Sequence, residues 1–183
     1  MFDDPAHVQE DIDLLERLRS ALRTAPRIAG EQRLELGGEL HRIVVPDWRA
    51  LAAGRTVVGV GFFGQARNGV DHAPIAVLED EIVDRAAALG GLLAYHNALL
   101  EPGRWANLVV FAEPAAVGGL RFDAMHETAV SLTAAHYASL RLHRGDLPDG
   151  ALGAARFALE RTLFLDLEAT PPRRWIRTRE NGA

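Results

Sequence analysis

Hydrophobic and polar positions along the chain predict a block of six elements within residues 56–144. These are a strand at 56–66, a helix at 74–89, strands at 91–99 and 104–112, a helix within 120–135 and a strand at 137–144. In the first strand, apolar residues such as Val57 and Val58 occupy both parities. This pattern is typical of a sheet that is covered on both faces. The first helix ends at Gly90 and Gly91, which favour a left-handed stop.

The flanking segment 1–55 predicts a helix followed by a strand. Asp4 and Pro5 suit the N-cap and the first position of a helix. Apolar residues then recur at helical spacing, namely Val8, Ile12, Leu15, Leu18 and Leu22. Residues 33–41 alternate as a half-buried strand, which Gly37 and Gly38 interrupt with a bulge or a bend.

The flanking segment 145–183 predicts a turn, a short helix and a strand. The turn falls at 146–150, and the strand at 161–168 shows clean alternation. The short helix between them would bury Leu152, Ala155 and Leu159. Four arginines close to the C-terminus suit a solvated tail, namely Arg173, Arg174, Arg177 and Arg179.

The element order strand, helix, strand, strand, helix, strand is the ferredoxin-like split βαβ arrangement, so we predict one α+β domain over residues 1–183. Over residues 56–144 the chain resembles the dimeric α+β barrel superfamily, which includes antibiotic-biosynthesis and haem-degrading monooxygenases. The resemblance depends on the strand end at 109–113 and on His126 in the second helix. It implies a pocket between sheet and helices, monooxygenase-like or haem chemistry, and His126 as the axial ligand if haem is bound.

Composition narrows the classes of function. The 183 residues include no cysteine, which excludes disulfides, thiolate catalysis and Cys-based metal sites. The absence of cysteine fits a reducing cytosol, and we expect a cytoplasmic protein. The formal charge of −5 argues against nucleic-acid binding. No apolar run approaches the roughly 20 residues that span a bilayer, so we expect no membrane partner.

The glycines Gly59, Gly61 and Gly64 match the GxGxxG dinucleotide fingerprint in letters. That site requires a helix to start directly after the strand, whereas no helical pattern begins here before residue 74. We therefore predict that the glycines leave room beside a strand for a ligand or a neighbouring side chain.

Polar and amphipathic side chains alternate on the later strands of the block and predict a small-molecule pocket. His126 and His143 are the candidate catalytic residues, because histidine titrates near neutrality and can act as a base or a ligand. Four further residues are candidates for ligand binding, namely Trp105, Asn107, Tyr137 and Arg141. We predict that His126 and His143 reach one cavity with Trp105, Asn107 and Arg141. The acidic run Glu79, Asp80, Glu81 and Asp84 on the first helix is expected to face solvent.

Two classes of function remain open at this point. The first is an enzyme or ligand-binding protein that uses the pocket. The second is a non-catalytic binding or assembly protein, in which the same residues form a dimer interface or satisfied buried hydrogen bonds. We expect a homodimer, because the two-sided apolar strands exceed what two helices cover. Alternatively, the flanking segments cover the second sheet face within one chain.

Overall fold

A computed structural model of the chain describes residues 5–121 and 123–179. The helices are α1 Pro5–Thr24, α2 Trp48–Leu51, α3 Ala73–Leu89, α4 Pro114–Arg121 and α5 Ala124–His136. The first four strands are β1 Gly30–Leu36, β2 Glu39–Val45, β3 Val57–Ala66 and β4 Leu92–Glu101. The others are β5 Arg104–Phe111, β6 Tyr137–Leu147, β7 Ala158–Asp166 and β8 Arg173–Thr178. The predicted N-cap Asp4 lies outside the described residues.

All eight strands form one open sheet in the order β1-β2-β4-β5-β3-β6-β7-β8. Every neighbouring pair is antiparallel. The predicted α+β class is confirmed, with eight strands and five helices in the described ranges. None of the helices in those ranges is long and apolar enough to cross a membrane.

The six elements predicted for residues 56–144 form as expected, with α5 as the second helix, and a further helix that was not predicted, α4, precedes it. Asp123 caps the start of α5, where its side chain accepts a hydrogen bond of 3.0 Å from the backbone N–H of Met125. The polar cap gives α5 its own N-terminus and so marks a helix boundary that apolar periodicity does not reveal.

Helix α1 covers one face of the sheet. Leu15, Leu18 and Leu22 are buried in the main core together with side chains of β3 and β5. The strand glycines make this close approach possible, since a Cβ at Gly61 would lie 2.7 Å from Leu15. A Cβ at Gly59 would lie 2.6 Å from Phe157. The prediction that these glycines leave room for neighbouring side chains is confirmed, and β3 continues past them without the helix that a dinucleotide site needs.

Three predictions for the flanking segments are wrong. The strand predicted at 33–41 is a hairpin, because Gly37 and Gly38 have positive φ angles of 64° and 85° and form the turn between β1 and β2. No helix forms at 152–159; this segment is irregular up to the start of β7. The arginine-rich tail forms β8, an exposed edge strand paired with β7.

The irregular segment before β7 is held by a buried arginine instead of by helical hydrogen bonds. The guanidinium of Arg19 on α1 donates to four backbone carbonyls, those of Gly150, Ala151, Gly153 and Ala155, at 2.7–3.2 Å. Because a guanidinium presents five donors in a fixed fork, one side chain satisfies carbonyls that a helix would otherwise pair internally. This long-range contact explains why the local pattern did not predict the conformation.

Candidate functional site

The two faces of the central strands β3 and β5 differ in how completely they are covered. On the α1 face, Ala106, Leu108 and Val110 of β5 are 0% exposed. On the opposite face, which α3, α4 and α5 cover, Trp105, Asn107 and Val109 are half-buried, and Phe111 at the end of the strand is buried. The described residues of α4 and α5 include no fully buried side chain. The sheet is therefore sealed on one side and partly open beneath the helices on the other.

Four polar residues form a hydrogen-bonded group beneath α3. Asn97 Nδ2 donates to Glu79 Oε1 at 3.1 Å and to Asn107 Oδ1 at 2.8 Å. The hydroxyl of Tyr95 also donates to Glu79 Oε1. Glu79 lies on α3, Tyr95 and Asn97 on β4, and Asn107 on β5, so three elements contribute to this group.

Aromatic side chains continue this surface toward β6. The rings of Trp105 and Tyr137 meet edge to face with centroids 5.7 Å apart. His72, in the loop before α3, lies 5.6 Å from Trp105 and 5.8 Å from His136 of α5, between ring centroids. The Nδ1 atoms of His72 and His136 are buried and have no hydrogen-bond partner among the described residues. We call the following seven residues the helix-side layer: His72, Glu79, Tyr95, Asn97, Trp105, Asn107 and Tyr137.

Burial changes the acidity of the helix-side layer. Burial raises the pKa of Glu79 above its usual value, although the hydrogen bond from Tyr95 and the nearby charge of Arg42 oppose this shift. Burial and the neighbouring Glu79 raise the pKa of Tyr95 well above its usual value. Burial also raises the pKa of Tyr137 to about 12. Both phenols are therefore protonated at neutral pH and can donate hydrogen bonds, while Glu79 titrates closer to neutrality than an exposed carboxyl.

The position of Glu79 corrects the prediction that the whole acidic run faces solvent. Glu79 follows the buried residue Ile75 by four positions, so both side chains lie on the face of α3 that meets the sheet. Asp80, Glu81 and Asp84 are exposed, as predicted. Sequence reasoning grouped Glu79 with its charged neighbours, whereas its spacing from Ile75 places it among the apolar positions.

A second polar group lies on the other side of the sheet, beneath α1. Arg141 pairs with Asp11 of α1 through Nε–Oδ2 at 2.6 Å and Nη2–Oδ1 at 2.8 Å. His143 Nε2 lies 2.8 Å from Asp11 Oδ2, and its Nδ1 lies 2.9 Å from the hydroxyl oxygen of Thr162. Because a carboxylate can only accept, Nε2 carries a proton and donates to Asp11.

This second group is a buried network in which every member is hydrogen-bonded, and it holds α1 against β6 and β7. Asp11, His143 and Thr162 are almost completely buried. Burial alone would raise the pKa of Asp11, but the hydrogen bonds from Arg141 and His143 outweigh burial and lower it. Such a network stabilises a specific arrangement when all its members are paired, as they are here.

The structure does not bring the predicted site residues into one cavity. Trp105, Asn107 and Tyr137 lie on the helix face of the sheet, whereas Arg141 and His143 lie on the α1 face. The pairing of β3 with β6 is shifted by one residue between Gln65 and Ala66. This bulge places Tyr137 on the helix face although it shares the parity of Arg141 and His143. The prediction of a common cavity is wrong for another reason, because Gly61 is aligned with both Leu108 and His143, which puts His143 on the face opposite to Asn107.

His126 lies apart from both groups. Burial lowers its pKa, and a hydrogen bond with the backbone of Arg121 partly offsets this effect. Six residues separate it from Leu132, which packs against the sheet cluster, so His126 points about 120° around α5 from that direction. These surroundings do not fit an axial haem ligand aimed into the space between helices and sheet, because the ring faces the end of α4.

Two open clefts lie where β7 begins and β8 ends, with volumes of about 560 Å³ and 440 Å³. Arg144 and Arg161 line the larger, and Val8, Phe157 and Thr162 line the smaller. Only Thr162 links either cleft to the polar groups described above. The clefts are built from the flanking segments and share no residue with the helix-side layer.

No protein-family model and no curated protein matches the chain. Among solved structures, the crystal structure of the NE2512 protein of unknown function from Nitrosomonas europaea is similar. It is 18% identical with a TM-score of 0.46, and the match covers 57% of this chain and 98% of that one. A TM-score of this size leaves fold and function to be argued from the residues of the chain itself.

Proposed function

We propose that the protein binds a small molecule between its helices and its sheet, at the helix-side layer. One observation carries this proposal: β3 and β5 are sealed beneath α1, whereas beneath the other helices only their Val58 and Phe111 ends are buried and the stretch from Val60 and Val109 to Trp105 is half-buried. A central strand that only stabilised the fold would be buried on both faces, because each exposed apolar group forfeits about 25 cal/mol per Å² of burial. A ligand bound against this face would gain the free energy of burying its apolar groups.

The chemistry of this face supports the same proposal. Small-molecule sites are mainly apolar or aromatic and contain a few convergent polar groups. Here the rings of Trp105 and Tyr137 adjoin the amides of Asn97 and Asn107 and the carboxyl of Glu79. A perturbed carboxyl pKa in such a setting is a further feature of functional sites.

The proposed fold of the central unit is ferredoxin-like. Taken alone, its strands have the order β4-β5-β3-β6 with antiparallel neighbours, which supports this arrangement. The sheet face opposite the helices, which would meet a second subunit in a barrel-type dimer, is covered by α1. This favours a binding site within one chain and leaves monooxygenase-like turnover as a possibility that the resemblance implies.

A ligand screen tests the binding function. Compounds from a library of small aromatic and aliphatic molecules that raise the melting temperature would be mapped by amide NMR shifts. We expect shifts to cluster at Asn97, Asn107 and Trp105, and binding to weaken at least about tenfold in Asn107→Ala, equivalent to about 1.4 kcal/mol. The matched control is His126→Gln, which should bind like the wild type.

Two results would contradict the proposal. One is a screen in which no compound perturbs the helix-side layer. The other is a set of ligands whose shifts cluster on the α1 face around His143 and Thr162. The first result would favour a non-catalytic assembly role, in which the half-buried face serves a second subunit, and the second result would move the binding site to the α1 face.

A further inference from the structure

We propose that the ligand of the helix-side layer is a cationic amine with an apolar body, with its ammonium group on Glu79 and its body against Trp105. This inference rests on the proposed function and adds the chemical class of the ligand. It is argued from the unused acceptor of Glu79, the balance of charge around it and the adjoining aromatic rings.

Glu79 retains hydrogen-bonding capacity. Its Oε1 atom accepts from Tyr95 and Asn97. No donor or cation of the described residues forms a hydrogen bond or an ion pair with its Oε2 atom. A carboxylate offers about four acceptor positions, so at least one oxygen is available to a donor from outside the chain. Charge-assisted hydrogen bonds from an ammonium group are about twice as strong as neutral ones.

The charges around Glu79 favour a cation. Asp80 is its neighbour on α3, and the cation beside it is Arg42 of β2, which already pairs with Glu31 at 2.8 Å and with Asp80 at 2.5 Å. The other titratable groups of the layer and its border are Tyr95, Tyr137, His72 and His136. Both phenols are neutral at pH 7. Glu31 also pairs with Arg33 at 2.7 Å, so three carboxylates share two guanidiniums, and an anionic ligand would meet a net negative charge. Arg67, which borders His72 and His136, donates its guanidinium hydrogen bonds to the backbone carbonyls of Ala134 and Leu167.

The adjoining aromatic rings suit the rest of such a ligand. The half-buried indole of Trp105 presents a ring whose face attracts cations and whose area buries apolar groups. The ring of Tyr137 is buried and supports Trp105 edge to face. The charge of Glu79 contributes to the raised pKa of Tyr137, which indicates that the carboxyl and the phenol lie close to one another. A short amine with a phenyl or alkyl body could therefore contact the carboxylate and the indole together.

A charge series on one skeleton tests the class of ligand. Binding of 3-phenylpropylamine, 3-phenylpropanol and 3-phenylpropanoate to the full chain would be measured by calorimetry at pH 7.5. We expect the amine to bind about tenfold or more tighter than the alcohol, and the acid to bind most weakly. Glu79→Gln, which is nearly isosteric, should reduce the amine affinity to that of the alcohol. The matched control Glu81→Gln changes an exposed carboxyl on the same helix and should leave all three affinities unchanged.

The outcomes separate the ligand class from the binding function. If the alcohol or the acid binds best and its NMR shifts lie at Asn107 and Trp105, the amine inference is overturned while the proposed function stands. If no compound of the series or of the wider screen perturbs these residues, both fail. Trp105→Leu provides a second variant should Glu79→Gln unfold, and it should weaken the amine more than the alcohol through loss of the cation–π contact. Equal losses for both compounds would also overturn the amine inference.

Discussion

At the scale of single residues, the informative positions are charged side chains on apolar helix stripes. Asp11 lies three residues after Val8 and four before Leu15, and Arg19 follows Leu15 by four. Glu79 stands in the same relation to Ile75. All three are held by specific partners, Asp11 and Glu79 on the sheet and Arg19 on the irregular segment before β7. A charge at the spacing i, i+3 or i+4 from buried residues could therefore have been predicted from the sequence as a buried polar site.

The partners of those charges could not have been predicted from the sequence. The alternation of side chains along a strand correctly puts Trp105 and Asn107 on one face of β5, and Arg141 and His143 on one face of β6. It does not say whether two strands present these pairs to the same face, because that depends on the pairing register, which aligns Gly61 with both Leu108 and His143. The site prediction failed at this step, although each pair was identified correctly.

Because histidines are buried beneath α1, we expect the free energy of unfolding to fall in acid. His96 Nδ1 donates to the carbonyl of Leu18 at 3.0 Å, so its Nε2 accepts from His41 Nδ1 at 2.8 Å. Burial lowers the pKa of His96 to about 3. Since the folded pKa is depressed, the stabilisation is complete above the unfolded pKa near 6.5 and is lost as the pH falls toward 3. From this residue we expect the free energy of unfolding to be about 2 kcal/mol lower at pH 5 than at pH 7.5.

Urea unfolding at the two pH values measures this effect. His96→Gln cannot titrate, so its stability should fall by about 2 kcal/mol less than that of the wild type between pH 7.5 and pH 5. The exposed His7 serves as the control, and His7→Gln should lose as much stability as the wild type. An unchanged pH dependence in His96→Gln would show that His96 is not the group responsible.

At the scale of elements, the periodicity of apolar residues was sufficient to predict each element that buries one continuous face. It predicted α1, α3 and the four strands of the central unit to within a few residues. It failed for the β1–β2 hairpin, where Gly37 and Gly38 were interpreted as an interruption of one strand and not as a two-residue turn. It also failed for residues 152–159, because their conformation depends on hydrogen bonds to Arg19 from a distant helix.

The contact between α1 and β3 gives a prediction for the sheet glycines. Gly61 faces Leu15 across a distance that leaves no room for a methyl group, with the Cβ 2.7 Å from Leu15 Cδ1. Gly61→Ala should therefore force Leu15 or α1 to shift and destabilise the protein by about 1–3 kcal/mol. Gly118→Ala is the matched control, because nothing lies within 4 Å of its Cβ and it occupies a helical position.

Thermal and urea unfolding of both variants would test this contact. Gly118→Ala should be neutral or stabilise the protein by up to about 1 kcal/mol, since alanine favours a helix. If Gly61→Ala is as stable as the wild type, α1 does not pack against β3 as closely as described. If the double variant Gly61→Ala with Leu15→Ala loses less stability than the sum of the two single losses, the clash is assigned to this pair.

At the scale of the whole molecule, α1 removes the original reason to expect a dimer. The second sheet face is covered within one chain, so two-sided apolar strands no longer require a partner. A different feature keeps the dimer prediction in place. Leu40 of β2 and Leu99 of β4 are cross-strand partners on the helix side, 63% and 41% exposed, beyond the reach of α3. An apolar pair at such a position would gain energy by meeting a second copy about a two-fold axis.

Light scattering at micromolar concentration measures the assembly state directly. For a chain of 19.9 kDa, we expect a mass of about 40 kDa. Leu40→Arg should then shift the mass toward that of the monomer, because a guanidinium would be buried without a partner in the interface. Ile176→Arg is the matched control, since Ile176 is similarly exposed but lies on β8 at the opposite edge of the sheet. A monomer mass for the wild type would refute the dimer, and it would mean that the half-open face beneath the helices binds its ligand within a single chain.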